Sequence, residues 1–198
     1  ASLVSISINL CSFIADGLTS FSMLYHFEIA LSDVDRGLYQ ALDFRLSQHP
    51  SENGLYLLTR TLAYCLSHQE NLEFSPGGLS DPDAPALQAK AAMGGFDLWI
   101  EIGNPSPKKL HRASKASKQV TVYTYKNPDL IVANVASEKV HRAEKIQIYA
   151  FDEKFLANVE TALKKSNRWS LLHQEGHLDL STETQTFSTD LRQMFAAT

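Results

Sequence analysis

The length, composition and charge of the chain limit the class of protein it can be. Its 198 residues, of which 44% are hydrophobic, predict one domain with a single core. The net charge of −4 excludes a strongly basic protein that coats nucleic acid, and no apolar stretch reaches membrane-spanning length. The cysteines, Cys11 and Cys65, lack metal-ligand spacing, which argues against zinc and disulfides and predicts a cytoplasmic protein.

The first 22 residues form a distinct segment. They contain no Lys or Arg, so the positive region of a secretory signal is absent. Met23 is a candidate natural start. We therefore predict that residues 1–22 are an extension without function and that residues 23–198 form the single domain.

The N-terminal third is predicted to contain one strand and two helices. Alternation over residues 25–31 indicates an opening strand. Apolar residues spaced by four predict a helix over 33–48, which ends at His49 and Pro50. Ser51 is the predicted cap of a second helix. Its apolar stripe consists of Leu55, Leu58, Leu62, Cys65 and Leu66.

The middle of the chain mixes short elements with turns. Residues 72–74 predict a short strand, and the segment 75–83 is rich in turn residues. Residues 84–93 predict a short helix that ends at two glycines. The strongly apolar segment 96–102 predicts a strand.

The C-terminal third continues the alternation of strands and helices. Residues 120–125 and 145–151 predict strands, and residues 129–140 between them favour neither state. Asp152 is the predicted cap of a further helix, and the tail is predicted to turn at Glu175. Strands that alternate with helices indicate an α/β fold.

The strand over 96–102 carries two carboxylates, Asp97 and Glu101. They point to the same face but lie about 13 Å apart, at roughly 3.3 Å per residue. Mg²⁺ binds oxygen at about 2.0–2.1 Å, so one ion cannot bridge both. Asp97 is therefore interpreted as a strand-start residue or turn cap, and Glu101 needs a partner from elsewhere in the chain.

Two other places in the chain offer that partner. Asp81 and Asp83 lie in the loop before the strand and can approach Glu101 at its end. Glu52 lies at the start of the second predicted helix, where an acid also interacts favourably with the helix dipole without any function.

A basic helix follows the strand. Residues 102–128 contain six Lys and Arg residues and no Asp or Glu, which indicates a local anion-binding face. Ser106 as cap and Pro107 in the first turn predict a helix to about residue 118. Lys109 falls at its flank, near the strand end. The outer cations, which either bind phosphates or are simply solvated, are Lys108, Arg112 and Lys115.

Other chemistries lack their motifs. The seven histidines show no HxH or HExxH spacing, and the chain has no nucleophile elbow, Walker loop or dinucleotide-binding glycine pattern. These absences argue against nucleophile triads and nucleotide hydrolysis.

With these residues in view, the chain resembles the YaeQ family of bacterial proteins from about Leu24 to the C-terminal hairpin. The matching motifs are His49-Pro50-Ser51-Glu52, Gly78-Leu79-Ser80 with Asp83 and Pro85, Trp99-Ile100-Glu101-Ile102-Gly103 with Pro105, and Tyr123-Thr124-Tyr125. The resemblance implies a compact PD-(D/E)XK nuclease fold, which is a mixed sheet flanked by helices.

The resemblance also implies a Mg²⁺ site, with Mn²⁺ as the other candidate ion. Asp83 and Glu101 would be the ligands, with Glu52 as a further acid. The sequence has Gly103 where the superfamily pattern has Lys, and Lys109 is the substitute that would orient water or stabilise the phosphorus. Ala84 is a second departure, since Glu is expected after Asp83.

Three hypotheses follow from the sequence. The first is a metal-dependent nuclease acting on DNA or RNA. The second is a nucleic-acid-binding or regulatory protein that kept the fold and lost catalysis. The third is an interaction module unrelated to nucleic acid. The carboxylates favour the first, and the lysine missing at Gly103 favours the second.

Overall fold

The computed structural model describes residues 22–76, 81 and 83–195. The strands of this part are β1 (Met23–Asp33), β2 (Leu38–Gln48), β3 (Leu72–Phe74), β4 (Leu87–Lys90), β5 (Phe96–Ile102), β6 (Ser117–Thr124), β7 (Ile146–Ala150), β8 (Ser166–Gln174), β9 (His177–Ser181), β10 (Thr186–Asp190) and β11 (Arg192–Phe195). The helices are α1 (Gly54–Leu66), α2 (Pro107–Ala116), α3 (Pro128–Ser137) and α4 (Glu153–Glu160).

The strands form two mixed sheets. The five-stranded sheet has the order β10-β9-β8-β1-β2, with β1 parallel to β8 and the other pairs antiparallel. The six-stranded sheet has the order β11-β7-β6-β5-β4-β3, with β5, β6 and β7 parallel. Helices α2 and α3 connect these parallel strands. The predicted α/β class is confirmed, and two mixed sheets take the place of the single one expected.

Helices cover both faces of the six-stranded sheet. One core cluster joins α1 and α4 to both sheets, and includes Phe27, Leu58 and Ile100. The other packs α2 and α3 against the opposite face, through residues such as Leu110 and Ile131. Successive residues of a strand therefore face different helices.

The helix predicted over residues 33–48 is wrong, because this segment is a β-hairpin. Apolar residues spaced four positions apart suit a strand as well as a helix, since four is a multiple of the two-residue strand period. Asp33 accepts a hydrogen bond from the backbone N–H of Arg36 at 3.2 Å, and Gly37 adopts φ +62°. These two features close the turn, and β2 then pairs with β1 along its whole length.

The helix predicted over residues 84–93 is also wrong. Ala89 of strand β4 pairs with Leu72 of β3 and with Leu98 of β5, so sheet pairing overrides the helix propensity of the alanines. The second helix begins later than predicted, because Asn53 and not Ser51 caps it by accepting a hydrogen bond from Tyr56 at 2.8 Å.

The remaining predicted elements are confirmed. Ser106 caps α2 and Asp152 caps α4, each through a side-chain oxygen that accepts a backbone N–H. The tail turns at Glu175 and Gly176. The segment 129–140, for which the sequence favours neither state, contains most of α3. Cys65 is buried in the core. Cys11 and most of the predicted extension lie outside the described residues. No helix in the described part of the chain is long and apolar enough to cross a membrane.

Candidate active site

Glu101 lies near the end of β5 with its side chain buried. Its neighbours Ile100 and Ile102 face the core beneath α1, while Trp99 belongs to the cluster beneath α2. The Trp99 indole N–H donates to Glu101 Oε1 at 2.7 Å, and the Glu101 residue is only 3% exposed. The α2 side of the sheet therefore holds a carboxylate almost out of contact with water.

Lys109 reaches this carboxylate from the first turn of α2. Its Nζ lies 2.8 Å from Glu101 Oε2. The chain leaves β5 through Gly103 at φ +84°, and Ser106 then starts the helix by accepting the Lys109 N–H at 3.3 Å. Burial raises the pKa of the Glu101 carboxyl, and the Lys109 ammonium and the Trp99 N–H offset part of this rise.

Asp83 is held against the same helix by Arg112. The Arg112 guanidinium donates to both the carboxylate and the backbone carbonyl of Asp83. The hydrogen bond from Arg112 lowers the pKa of the exposed Asp83 carboxyl, and the charges of Lys108 and Lys109 lower it further. Asp83 and Glu101 thus share α2 as the source of their cations.

Glu52 belongs to a different cluster. It precedes α1 and is 6% exposed. Its Oε2 accepts from the His49 backbone N–H and from Arg60 Nη2, both at 2.9 Å, and the same Arg60 nitrogen donates to Ser47 O at 2.8 Å. Burial raises the pKa of Glu52, while Arg60 counteracts it. Glu52 therefore joins the end of β2 to α1.

The structure does not assemble the expected set of three metal ligands. Among residues 22–76, 81 and 83–195, no three His, Cys, Asp or Glu side chains are placed to hold one ion. Glu52 is paired with Arg60 of α1, whereas Glu101 and Asp83 are paired with Lys109 and Arg112 of α2. Asp83 and Glu101 share cationic neighbours, and these two oxygen donors suit Mg²⁺, which commonly keeps several water ligands.

The predicted outer cations of α2 are all exposed, but they differ in their partners. Arg112 pairs with Asp83, whereas Lys108 and Lys115 form no ion pair with any residue that the structure describes. Asp97, interpreted from the sequence as a strand-start residue or turn cap, forms an ion pair with Lys118 at 2.6 Å.

Two further residues complete the site. Trp99 orients Glu101, and its position two residues earlier on the strand is a signal the sequence contains. Tyr56 of α1 is half-buried, which raises the pKa of its phenol; the charge of Arg60 counteracts this rise, and the negative charges of Glu101 and Glu52 add to it. No local pattern in the sequence indicates that Tyr56 lies near Glu101.

Comparison with known proteins gives consistent matches. The family described as YaeQ protein matches residues 19–191. The YaeQ protein of Escherichia coli (strain K12) is 25% identical over 169 residues, which cover 85% of this chain and 93% of that protein. The YaeQ protein of Salmonella typhi is 30% identical over 102 residues, which cover 52% of this chain and 56% of that protein.

Two solved structures resemble the fold closely. The crystal structure of the YaeQ protein from Xanthomonas axonopodis pv. citri matches with a TM-score of 0.80 and 26% identity, over 88% of this chain and 98% of that one. The YaeQ protein from Pseudomonas syringae matches with a TM-score of 0.79 and 26% identity, over 87% of this chain and 96% of that one.

Proposed function

The chain belongs to the YaeQ family, and we propose that it is a Mg²⁺-dependent nuclease on a PD-(D/E)XK-type core that hydrolyses phosphodiester bonds in nucleic acid. The observation that carries this proposal is the contact of 2.8 Å between Lys109 Nζ and Glu101 Oε2. In this proposal, Lys109 of helix α2 takes the role of the lysine that the superfamily pattern has at the position of Gly103.

Asp83 and Glu101 are the proposed metal ligands. Two carboxylates with solvent are a common way for a protein to bind Mg²⁺, and the exposed Arg112–Asp83 pair is weakly held because water screens it. Bound at these carboxylates, Mg²⁺ would lower the pKa of a water molecule and neutralise charge on the phosphate.

The protein groups around Glu101 have distinct roles in this proposal. Lys109 holds an ammonium beside the buried carboxylate, where it stabilises the charge that develops on the phosphate oxygens. Trp99 fixes the carboxylate through its N–H and shields it from water. Both act as parts of a preorganised site, because β5 and α2 set their positions.

The outer face of α2 is the proposed nucleic-acid surface. Lys108 and Lys115 are exposed cations, and Arg112 lies between them on the helix. Contacts to phosphate oxygens position a nucleic acid without reading its sequence. The surface therefore predicts affinity that falls with salt and depends little on base sequence.

A second candidate function is nucleic-acid binding without hydrolysis. It is favoured by the ion pairs, since Glu52, Asp83 and Glu101 are each paired with a cation. Carboxylates neutralised in this way need no metal. The basic face of α2 would then bind phosphates and leave them intact.

Cleavage and binding assays separate the two functions. Single- and double-stranded DNA and RNA are incubated with Mg²⁺, Mn²⁺ or EDTA, using wild type, Glu101→Gln and the control Asp97→Asn, which removes an equal charge from the same strand. Metal-dependent cleavage that only Glu101→Gln abolishes supports the nuclease. Binding without cleavage, weakened by Lys108→Ala with Lys115→Ala, supports the second function. If the protein shows neither cleavage nor binding, both proposed functions are contradicted.

A further inference from the structure

Strand β2 forms an open edge of the five-stranded sheet. In the part of the chain that the structure describes, no strand pairs with its outer side. β2 contains 11 residues, whereas the other edge strands β3, β10 and β11 contain only 3, 5 and 4. An edge of this length presents a row of N–H and C=O groups to which a further strand can bind.

The odd-numbered residues of β2 direct their backbone groups to this edge. The His26 N–H donates to Lys165 O at 2.8 Å, so the even-numbered residues of β1 bond toward β8 and the odd-numbered ones toward β2. In the register of the hairpin, each odd-numbered residue of β1 lies opposite an even-numbered residue of β2. The N–H and C=O groups of the odd-numbered residues of β2 therefore point outward. Arg60 of α1 closes one end of the edge, because it donates to Ser47 O at 2.8 Å.

The middle of β2 is complementary to its own sequence read in reverse. The segment consists of Leu42, Asp43, Phe44, Arg45 and Leu46. If two copies meet antiparallel with Phe44 at the centre, Asp43 of each copy lies opposite Arg45 of the other. Leu42 of each copy then lies opposite Leu46. Residues 43 and 45 both have outward backbone groups, so the opposed residues can also exchange N–H···O=C hydrogen bonds.

Electrostatics selects this register among its neighbours. Centring the pair on Asp43 or on Arg45 would place two like charges directly opposite each other, which is destabilising. Centring it on Leu42 or Leu46 would separate Asp43 of one copy from Arg45 of the other. Of these five registers, the one centred on Phe44 therefore pairs the opposite charges.

Both charged side chains are available for such pairs. Asp43 contacts His26 at 2.7 Å, but its side chain remains 71% exposed. Arg45 is also exposed, and it forms no ion pair with any residue in the described part of the chain. A carboxylate and a guanidinium thus lie two residues apart on the open strand.

The core-facing side of the edge offers apolar surface as well. The ring centroid of Phe44 lies 4.7 Å from that of Tyr64 and 5.7 Å from that of Phe74. All three rings are only partly buried within one copy. In the register centred on Phe44, the same cluster of a second copy would adjoin this one. Aromatic residues are enriched in the buried centres of protein interfaces.

We propose that β2 is a dimerisation edge, at which two copies of this chain pair antiparallel about a two-fold axis between their Phe44 residues. The two five-stranded sheets then join into one continuous sheet. A two-fold axis makes residue i contact j and residue j contact i, and Asp43 and Arg45 satisfy this condition. The self-complementary pattern is the reason to assign a second copy as the partner. The proposal does not depend on nuclease activity.

Charge reversal tests the proposal by sedimentation equilibrium. We expect the wild type to form dimers at micromolar concentrations. Asp43→Arg and Arg45→Asp are each expected to raise the dimer dissociation constant about tenfold or more, because each places like charges opposite each other. An equimolar mixture of the two variants restores opposite charges in both pairs, so it is expected to form heterodimers.

The outcomes of this experiment are distinct. A wild type that stays monomeric, single variants that dimerise like the wild type, or a mixture that does not associate each contradict the proposal. Asp190→Arg reverses an exposed charge at the opposite edge of the sheet, on β10, and is expected to dimerise like the wild type. If Asp190→Arg dissociates the dimer instead, the interface lies at β10 and the assignment is overturned.

Disulfide cross-linking tests the register independently. The two Phe44 Cα atoms would lie about 4.5 Å apart as a non-hydrogen-bonded pair, which is within the range for a disulfide. Phe44→Cys is therefore expected to form a covalent dimer on oxidation, above the background that Cys11 and Cys65 give in the wild type. Tyr39→Cys is the control, because its two copies would lie about 33 Å apart along the strands. Cross-linking of Tyr39→Cys, or none of Phe44→Cys, contradicts this register.

Discussion

Lys109 pairs with Glu101 although it lies in the first turn of α2, where the helix dipole disfavours a cation. Each group therefore offsets a cost that the other would have alone, because the carboxylate is buried and the ammonium is against the dipole. This mutual dependence makes the pair accessible to measurements of stability as well as of activity.

Removing the cation destabilises the protein when Glu101 is ionised. Lys109→Met is expected to lower the free energy of unfolding by about 1–3 kcal/mol at neutral pH, because the buried carboxylate loses a charged partner. Urea denaturation measures this loss. The loss shrinks at acid pH, where the carboxyl is protonated. Lys108→Met, a neighbouring exposed lysine, is the control and is expected to stay within about 0.5 kcal/mol of wild type.

Glu101→Gln changes how stability depends on pH. Burial raises the pKa of the Glu101 carboxyl in the folded protein, so the native state keeps a proton that the unfolded chain has released. The contribution of Glu101 to stability is then fully present below the ordinary Glu pKa and is lost as pH rises through the raised pKa. The amide of Glu101→Gln does not titrate. As pH rises from acid to neutral, the variant is therefore expected to lose less of its free energy of unfolding than the wild type loses.

The control for this experiment is Glu183→Gln, which removes a carboxylate from an exposed position. Its pH profile is expected to run parallel to that of wild type. A profile of Glu101→Gln that also runs parallel would contradict the raised pKa.

Glu52 is predicted to affect stability more than chemistry. Glu52→Gln leaves the Arg60 guanidinium buried without its counterion, which costs about 3–5 kcal/mol. Replacing both residues, with Glu52→Leu and Arg60→Met, is expected to recover most of this loss. Denaturation of the single and double variants measures both. A stable Glu52→Gln variant that loses Mg²⁺ binding would instead make Glu52 a ligand.

His177 is predicted to titrate above the ordinary range of histidine. Its Nδ1 lies 2.6 Å from Asp190 Oδ1, and this hydrogen bond raises the His177 pKa. The contribution of the pair to stability is present below the ordinary pKa and is lost as pH rises through the raised one. Asp190→Asn is expected to lower the pKa followed by NMR, whereas Asp152→Asn is not. An unchanged titration would show that the pair does not form in solution.

Local patterns in the sequence predict some parts of this structure better than others. The caps Ser106 and Asp152 act within one turn of the chain, and both are found where predicted. The hairpin at Gly37 was missed because a spacing of four residues satisfies both helix and strand periods. The position of β4 was missed because it depends on pairing with β3 and β5, which propensity does not encode.

The same distinction applies to the candidate site. Lys109 was predicted near the strand end because the helix phase places it at the flank of α2. The pairing of Glu52 with Arg60 of α1, and of Glu101 with Lys109 of α2, depends on which face of the sheet each helix covers, and that is a property of the topology. Asp33 contacts His173, which is 140 residues away, and no local pattern indicates that contact.

The parallel pairing of β1 with β8 has a kinetic consequence. Residues 72–150 contain five of the strands of the six-stranded sheet in one continuous segment, so this part needs only medium-range contacts to form. The five-stranded sheet joins the first hairpin to residues beyond Lys165. During synthesis, the N-terminal hairpin can therefore pair with β8 only after nearly the whole chain has been made. In a nascent chain that ends after α4, one edge of β1 is left without its partner strand.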